Sequence, residues 1–112
     1  MTAMRIAAVQ MVSGPDIAQN LRDANLLVAE AAARGAKLVA LPEYFPLISG
    51  DEIDKVRARE KEGAGPLQDF LRETALRHKV WLVGGSIPLE ASSPDKVRNS
   101  CLVYDERGKL VA

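Results

Sequence analysis

The most constraining feature of this sequence is a short apolar run that ends in proline and is followed at once by a carboxylate. Leu38 to Leu41 has the composition of a buried strand, and Pro42 cannot continue a ladder of backbone hydrogen bonds. Glu43 is therefore predicted at the carboxyl end of a strand. Because ligands of open α/β sheets bind outside the carboxyl ends of their strands, Glu43 is expected to face a crevice.

The residues before this run predict a strand–helix–strand unit. Arg5 to Met11 is apolar except for Gln10, which is typical of a strand buried on both faces of a parallel sheet. A helix is predicted to begin after Ser13 or Asp16 and to end before Gly35, which suits a left-handed C-cap. Its apolar stripe consists of Ile17, Leu21, Ala24, Val28 and Ala31, and its solvent side of Asn20, Arg22, Asp23, Glu30 and Arg34.

Two more helices are predicted after the first strand–helix–strand unit. Residues 51–62 are dense in charge, and we expect a short solvated helix there. Their acidic residues lack the spacing of a calcium loop, so a solvated face explains them better than a metal site. Gly63 to Pro66 opens a longer helix with proline in its first turn. The apolar stripe of that helix consists of Leu67, Phe70, Leu71 and Ala75.

The remaining segments predict strands and a hairpin. Val80 to Val83 is a buried strand by composition, and Gly84 to Ser86 would then allow a close approach of another backbone. Arg98 to Tyr104 alternates as a strand does, and a turn over residues 105–108 leads into a returning strand. The sequence thus predicts an α/β fold with the order β-α-β-α-β-β, and the chain ends inside a hairpin.

Composition excludes several classes of protein. The chain has 112 residues, 47% of them hydrophobic, which fits one globular domain or less. Its 15 basic and 15 acidic residues leave no surplus charge for nucleic acid or an anionic membrane. No apolar run approaches the roughly 20 residues that span a bilayer, and the N-terminus lacks a signal-peptide layout. Because a single cysteine cannot form an intrachain disulfide, we expect a soluble cytoplasmic protein.

Glu43 and Cys101 are the residues that most suggest catalysis. Glu43 could be a general base whose pKa is raised in a partly desolvated site, and its aromatic neighbours Tyr44 and Phe45 favour a lined pocket. A solvated loop position explains this carboxylate equally well. Cys101 lies in the alternating segment, with no basic cluster nearby in sequence to lower its pKa. We therefore interpret it as a buried core residue and not as a nucleophile.

The sequence predicts neither a metal ion nor a cofactor. His78, the one histidine, is explained by its favourable position near the C-terminus of a helix. One histidine and one cysteine cannot assemble a zinc site of the usual spacing. Gly84 to Ser86 could cradle an anion, but no dinucleotide or phosphate-loop motif is present.

A set of short segments carries a resemblance to a known family. In chain order they are Ile6–Met11, Asn20, Gly35–Val39, Leu41–Glu43, Gly65–Pro66, Gly84–Ser86 and Asn99–Tyr104. In this order and spacing they resemble the N-terminal part of the carbon-nitrogen hydrolase (nitrilase) superfamily, over essentially the whole chain. The resemblance implies a four-layer αββα sandwich and a Glu-Lys-Cys catalytic triad.

The resemblance gives Glu43 the role of general base, which takes the thiol proton as cysteine attacks an amide or nitrile carbon. The segment around Glu43 resembles the amidase branches that act on small carboxylate-bearing amides, and Tyr44 is expected to contact the substrate. The family's lysine and cysteine correspond to positions beyond residue 112, so neither Lys109 nor Cys101 takes those roles.

Residues 1–112 are therefore expected to form a partial carbon-nitrogen hydrolase domain that is inactive alone and leaves an apolar sheet face uncovered. We expect the full-length parent to form a homo-oligomer and to act on a small amide. The alternative is a non-catalytic α/β fragment or interaction module.

Overall fold

The computed structural model describes residues 3–112 and contains six strands and three helices within them. In chain order the elements are β1 (Ile6–Ala8), α1 (Ile17–Ala33), β2 (Leu38–Ala40), α2 (Ile53–Ala58), α3 (Pro66–His78), β3 (Trp81–Val83), β4 (Ile87–Glu90), β5 (Val97–Ser100) and β6 (Val103–Tyr104). The predicted α/β class is confirmed, and the chain carries more strands than the sequence indicated.

A mixed sheet with the strand order β1-β2-β3-β6 forms the centre of the fold. β1, β2 and β3 are parallel, with Ile6, Leu38 and Trp81 side by side, and β6 runs antiparallel to β3. The predicted strand–helix–strand unit is confirmed, since α1 connects the parallel neighbours β1 and β2. Because β1, β2 and β3 are parallel, their carboxyl ends lie at the same edge of the sheet.

Helix α1 begins and ends at the residues that its capping chemistry predicts. The Asp16 carboxylate accepts a hydrogen bond of 3.1 Å from the Gln19 amide, which satisfies one of the free N–H groups of the first turn. Gly35 follows the helix with φ of +91°, a conformation that glycine adopts without strain.

The core lies between the central sheet and the pair α1 and α3. Val39 and Leu82 point from the middle of the sheet into this core and are fully buried. The buried residues of the two helices are apolar at most positions and include Ala24, Val28, Leu67, Leu71 and Ala75.

The opposite face of the sheet is apolar and open. Ile6 is 63% exposed and Trp81 40% exposed, and the register places both in one row with Leu38. The expectation that these strands are buried on both faces is therefore wrong for residues 3–112, because the helices cover one face only. None of the helices in this part of the chain is long and apolar enough to cross a membrane.

The predicted strand from Arg98 to Tyr104 is divided between two sheets. Its first part is β5, which pairs antiparallel with β4, and its last two residues form β6 beside β3. β3 and β4 belong to different sheets and are separated by Gly84–Ser86. The segment that pairs with both strands is therefore interrupted between β5 and β6. Cys101 lies in the break and is exposed, so its interpretation as a buried core residue is wrong.

The hairpin predicted at the end of the described chain is present. The Asp105 amide donates to the Lys109 carbonyl at 2.9 Å, and the Val111 amide donates to the Val103 carbonyl at 2.9 Å. Gly108 has φ of +76° in the connecting turn.

His78 lies in the last turn of α3, as predicted, and it also contacts α1. Its Nε2 lies 2.9 Å from the Asn25 side-chain oxygen, so it joins α3 to α1. Burial and the neighbouring Arg77 guanidinium lower the pKa of His78, whereas the C-terminus of a helix would raise it.

Candidate active site

Glu43 lies just past the carboxyl end of β2, as predicted. β2 ends at Ala40, and the Leu41 amide extends the pairing by donating to the Val83 carbonyl at 2.9 Å. The chain then turns over residues 43–46. Glu43 is exposed among residues 3–112, so this part of the chain does not desolvate the carboxylate, and the partly desolvated site stays a prediction.

The backbone on either side of Glu43 is tightly held by the segment after β3. The Tyr44 amide donates to the Ser86 hydroxyl at 2.8 Å, and Ser86 is only 5% exposed. A Cβ at Gly85 would lie 2.1 Å from the carbonyl oxygen of Pro42, so only glycine allows this approach. The predicted close approach at Gly84–Ser86 is confirmed, and its partner is the turn that carries Glu43.

A second buried polar residue holds the other end of the turn. The Asn20 side chain donates to the carbonyls of Gly14 and Pro46, at 2.8 Å each, and accepts from the Gly14 amide at 3.0 Å. Asn20 is 2% exposed, so its assignment to the solvent side of α1 is wrong. Its side chain replaces water as the partner of these backbone groups, which is why a buried amide is stable there. The Ser13 hydroxyl adds a bond of 2.7 Å to the Phe45 carbonyl.

The left-handed backbone of Tyr44, with φ of +56°, separates the two aromatic residues of the turn. Phe45 is fully buried, with its ring centroid 6.1 Å from that of Phe70. Tyr44 is half-buried and lines a cavity of about 380 Å³ between α2 and β5. The cavity is lined by Tyr44, Glu52, Lys55, Val56, Asp95, Lys96, Val97 and Asn99.

Tyr44 makes two side-chain contacts at this cavity. The Lys55 ammonium lies over its ring, 4.1 Å from the centroid, and the Asn99 amide donates to its hydroxyl. Neither Lys55 nor Asn99 was singled out from the sequence as a site residue. No sequence signal joins them to Tyr44, because they come together only through the packing of α2 and β5 beside the turn.

The other candidate groups lie apart from this site. Cys101 is exposed in the break between β5 and β6, and Lys109 is exposed beyond the turn of the C-terminal hairpin. Residues 3–112 contain no group of three or more histidine, cysteine or acidic residues that could hold a metal ion.

Comparison with known proteins relates this arrangement to characterised enzymes. The carbon-nitrogen hydrolase family matches residues 5–112. The chain is 40% identical to the omega-amidase NIT2 of Danio rerio over 111 residues, which are 99% of this chain and 39% of that protein. It is 33% identical to nitrilase homolog 2 of Dictyostelium discoideum, covering 96% of this chain and 32% of that protein.

Solved structures have the same fold. One is Nit3 of Saccharomyces cerevisiae, a member of the nitrilase superfamily, which superposes with a TM-score of 0.83 at 29% sequence identity. The match covers 97% of this chain and 42% of the Nit3 chain. An amidase from Nesterenkonia sp. superposes with a TM-score of 0.77 at 26% sequence identity. That match covers 97% of this chain and 41% of the amidase chain. The chain thus spans 32–42% of the length of these four relatives. The sequence match over residues 5–112, together with this common fold, shows that the chain belongs to the carbon-nitrogen hydrolase family.

Proposed function

We propose that this chain is part of an amidase in which Glu43 is the general base and Tyr44 contacts the substrate. The observation that carries the proposal is the rigid placement of Glu43 at the carboxyl end of a parallel strand. Buried Ser86 and Asn20 hold the turn on both sides of it. A general base must be held in place relative to its proton donor, and such support provides this.

The proposed reaction uses a Glu-Lys-Cys triad, whose lysine and cysteine are assigned by resemblance to positions outside residues 1–112. Glu43 takes the thiol proton as sulfur attacks the amide carbon, and the lysine stabilises the oxyanion. The carbon–nitrogen bond breaks, and the protonated glutamate returns its proton to the leaving ammonia. Water then attacks the thioester with Glu43 as base, which releases the acid and restores the thiol.

The substrate in this proposal is a small amide that carries a carboxylate. Proteins described as omega-amidases are among the relatives of this chain, and they support this substrate class. The Nesterenkonia amidase has an active-site cysteine, which supports thiol chemistry. We further propose that residues 1–112 form one part of a single domain, that the full-length protein is a cytoplasmic homo-oligomer, and that residues 1–112 alone are inactive.

Substitution of Glu43 in the full-length protein tests the proposal. Glu43→Gln should lower kcat/KM for amide hydrolysis by at least about a thousandfold, because the amide cannot accept the thiol proton. Ammonia release measures activity, and circular dichroism with thermal unfolding checks that the fold is retained. Glu62→Gln, which removes an exposed carboxylate outside the turn, is the matched control and should keep full activity. Retained activity in a folded Glu43→Gln protein would remove Glu43 from the mechanism.

A further inference from the structure

We propose that residues 49–59, which include α2, form a hinged lid beside the turn that carries Glu43. The Lys55 ammonium, which lies over the Tyr44 ring, is the latch that holds this lid against the turn. The opening of the lid goes beyond the proposed function. Only its effect on access to Glu43 rests on that function.

The lid is hydrogen-bonded to itself and not to the rest of the fold. The Asp51 carboxylate accepts a bond of 3.0 Å from the Ile53 amide, and the Arg59 guanidinium donates to the Val56 carbonyl at 2.6 Å. In the described part of the chain, no hydrogen bond or ion pair joins residues 49–59 to a residue outside them. The segment can therefore open without breaking such a bond to its neighbours.

Both ends of the lid are fixed to the body of the fold. Just before it, the Ile48 amide donates to the Gly14 carbonyl at 3.0 Å. Just after it, the Glu60 amide donates to the Pro88 carbonyl at 3.1 Å, and the buried Glu60 carboxylate accepts from the first turn of α3. A segment that is free between two fixed ends has the layout of a lid whose hinges lie at its termini.

The lid also packs loosely. None of residues 49–59 is buried, and Ile53, its largest apolar side chain, is 41% exposed. The next helix, α3, buries Leu67, Leu71 and Ala75. Because a helix of six residues is not stable by itself, α2 depends on the little packing that it has. Elements with few buried apolar contacts are the first to open in a native protein.

Open space lies on two opposite sides of α2. One cavity, of about 380 Å³, separates the helix from β5, and a second cavity, of about 320 Å³, adjoins the start of α1. The helix lines each cavity with residues three and four apart, which share one face. These residues are Glu52, Lys55 and Val56 at the first cavity, and Asp54, Arg57 and Ala58 at the second. The helix therefore has room to move.

Lys55 joins the lid to a rigid part of the site. Its ammonium lies 4.1 Å from the centroid of the Tyr44 ring, whose electron-rich face attracts a cation. Tyr44 is itself held, because its backbone amide donates to the Ser86 hydroxyl and its own hydroxyl accepts from the Asn99 amide. Opening of the lid would uncover the Tyr44 ring, and the residue before it is Glu43. The lid thus controls access to the proposed base.

Hydrogen exchange of the full-length protein, followed by mass spectrometry of its peptides, tests the lid. Amides of residues 53–59 should exchange at least about a hundredfold faster than those of α3, because they open without global unfolding. Lys55→Met should speed this exchange by about threefold more and leave α3 unchanged, since it removes the latch alone. Lys55→Arg keeps a cation over the ring and should exchange as the unchanged protein does.

Lys61→Met, at an exposed lysine outside the lid, is the matched control and should change neither segment. Exchange of residues 53–59 at the rate of α3 would overturn the proposal. An equal acceleration of both segments in Lys55→Met would also overturn it, because that result describes a general loss of stability.

A bound amide separates the lid from its effect on the active site. The probe is succinamate, a small amide that carries a carboxylate, with full-length Glu43→Gln protein, in which the proposed mechanism is blocked. Saturating succinamate should slow the exchange of residues 53–59 about tenfold, because the lid closes over the occupied site. If calorimetry shows binding but this exchange is unchanged, control of access is overturned. If succinamate does not bind, the proposed function fails, and the exchange of the free protein still decides whether the lid exists.

Discussion

Gly85 and Ser86 control the position of Glu43 although they are distant from it in sequence. The buried Ser86 hydroxyl accepts a hydrogen bond from the Tyr44 backbone amide. Gly85, whose φ is +59°, lies against the Pro42 backbone. Both contacts act on the peptide groups next to Glu43. At the scale of single residues, the position of the proposed general base therefore depends on the chain that follows β3.

Gly85→Ala should destabilise the protein by about 3 kcal/mol or more, because a methyl group would overlap the Pro42 carbonyl and the residue has a left-handed backbone. Urea unfolding of the full-length protein measures the change. Gly50→Ala is the matched control, since a Cβ at Gly50 has no neighbour within 4 Å. That control should change stability by less than about 1 kcal/mol. Equal stability of the two variants would show that the turn carrying Glu43 can move away from Gly85.

At the scale of elements, the N-terminus of helix α3 is capped by the carboxylate of Glu60, a residue that precedes the helix. Glu60 is 6% exposed and accepts from the amides of Leu67 and Gln68 at 2.6 and 3.1 Å. These are free N–H groups of the first turn, where a negative charge also favours the helix dipole. The short solvated helix expected over residues 51–62 is confirmed as α2, which has no buried residue, and Glu60 lies beyond its end. Gly65 has no side chain to obstruct the contact, since a Cβ there would lie 2.3 Å from the Glu60 carboxylate.

Glu60→Gln should lower the free energy of unfolding by about 2 kcal/mol. A neutral amide oxygen accepts weaker hydrogen bonds from the α3 amides than a carboxylate does, and the new side-chain NH2 group would face N–H donors. Glu62→Gln provides the control. The Glu62 carboxylate pairs with Arg98 at 3.2 Å on the exposed surface, and its loss should cost less than about 1 kcal/mol. Denaturant unfolding of both variants measures the difference. Similar values for the two would contradict a capping role for Glu60.

At the scale of the whole molecule, the fold has one covered and one open sheet face. The helices pack on the side of Val39 and Leu82, and the row of Ile6, Leu38 and Trp81 lies on the other side. Apolar surface of this kind favours association when it is left in water. The expectation of an uncovered apolar sheet face is confirmed for residues 3–112.

The 112-residue chain on its own should therefore self-associate as its concentration rises. Trp81→Lys should shift sedimentation toward the monomer, because it places a charge on the open face. Leu26→Lys is the control, since Leu26 is 66% exposed on α1, away from this face. A chain that stays monomeric and melts cooperatively without either change would favour the interaction-module alternative.

The sequence by itself determined the features that depend on local chemistry. These include the period of α1, its Asp16 and Gly35 caps, the end of β2 before Pro42 and the position of Glu43 directly afterwards. Each follows from residues close together in the chain, where propensity and capping act directly. The resemblance carried by the same segments identified the family that the comparisons show.

The tertiary structure alone decided which of these residues meet and which are buried. Asn20 and Glu60 have polar sequences around them, yet both are buried because distant backbone groups need their hydrogen bonds. Cys101 is exposed because its partner strands diverge at Gly84–Ser86, and Lys55 reaches Tyr44 only when α2 packs beside the turn. Burial and pairing between distant segments depend on the whole packing arrangement, so the periodicity of one segment cannot predict them.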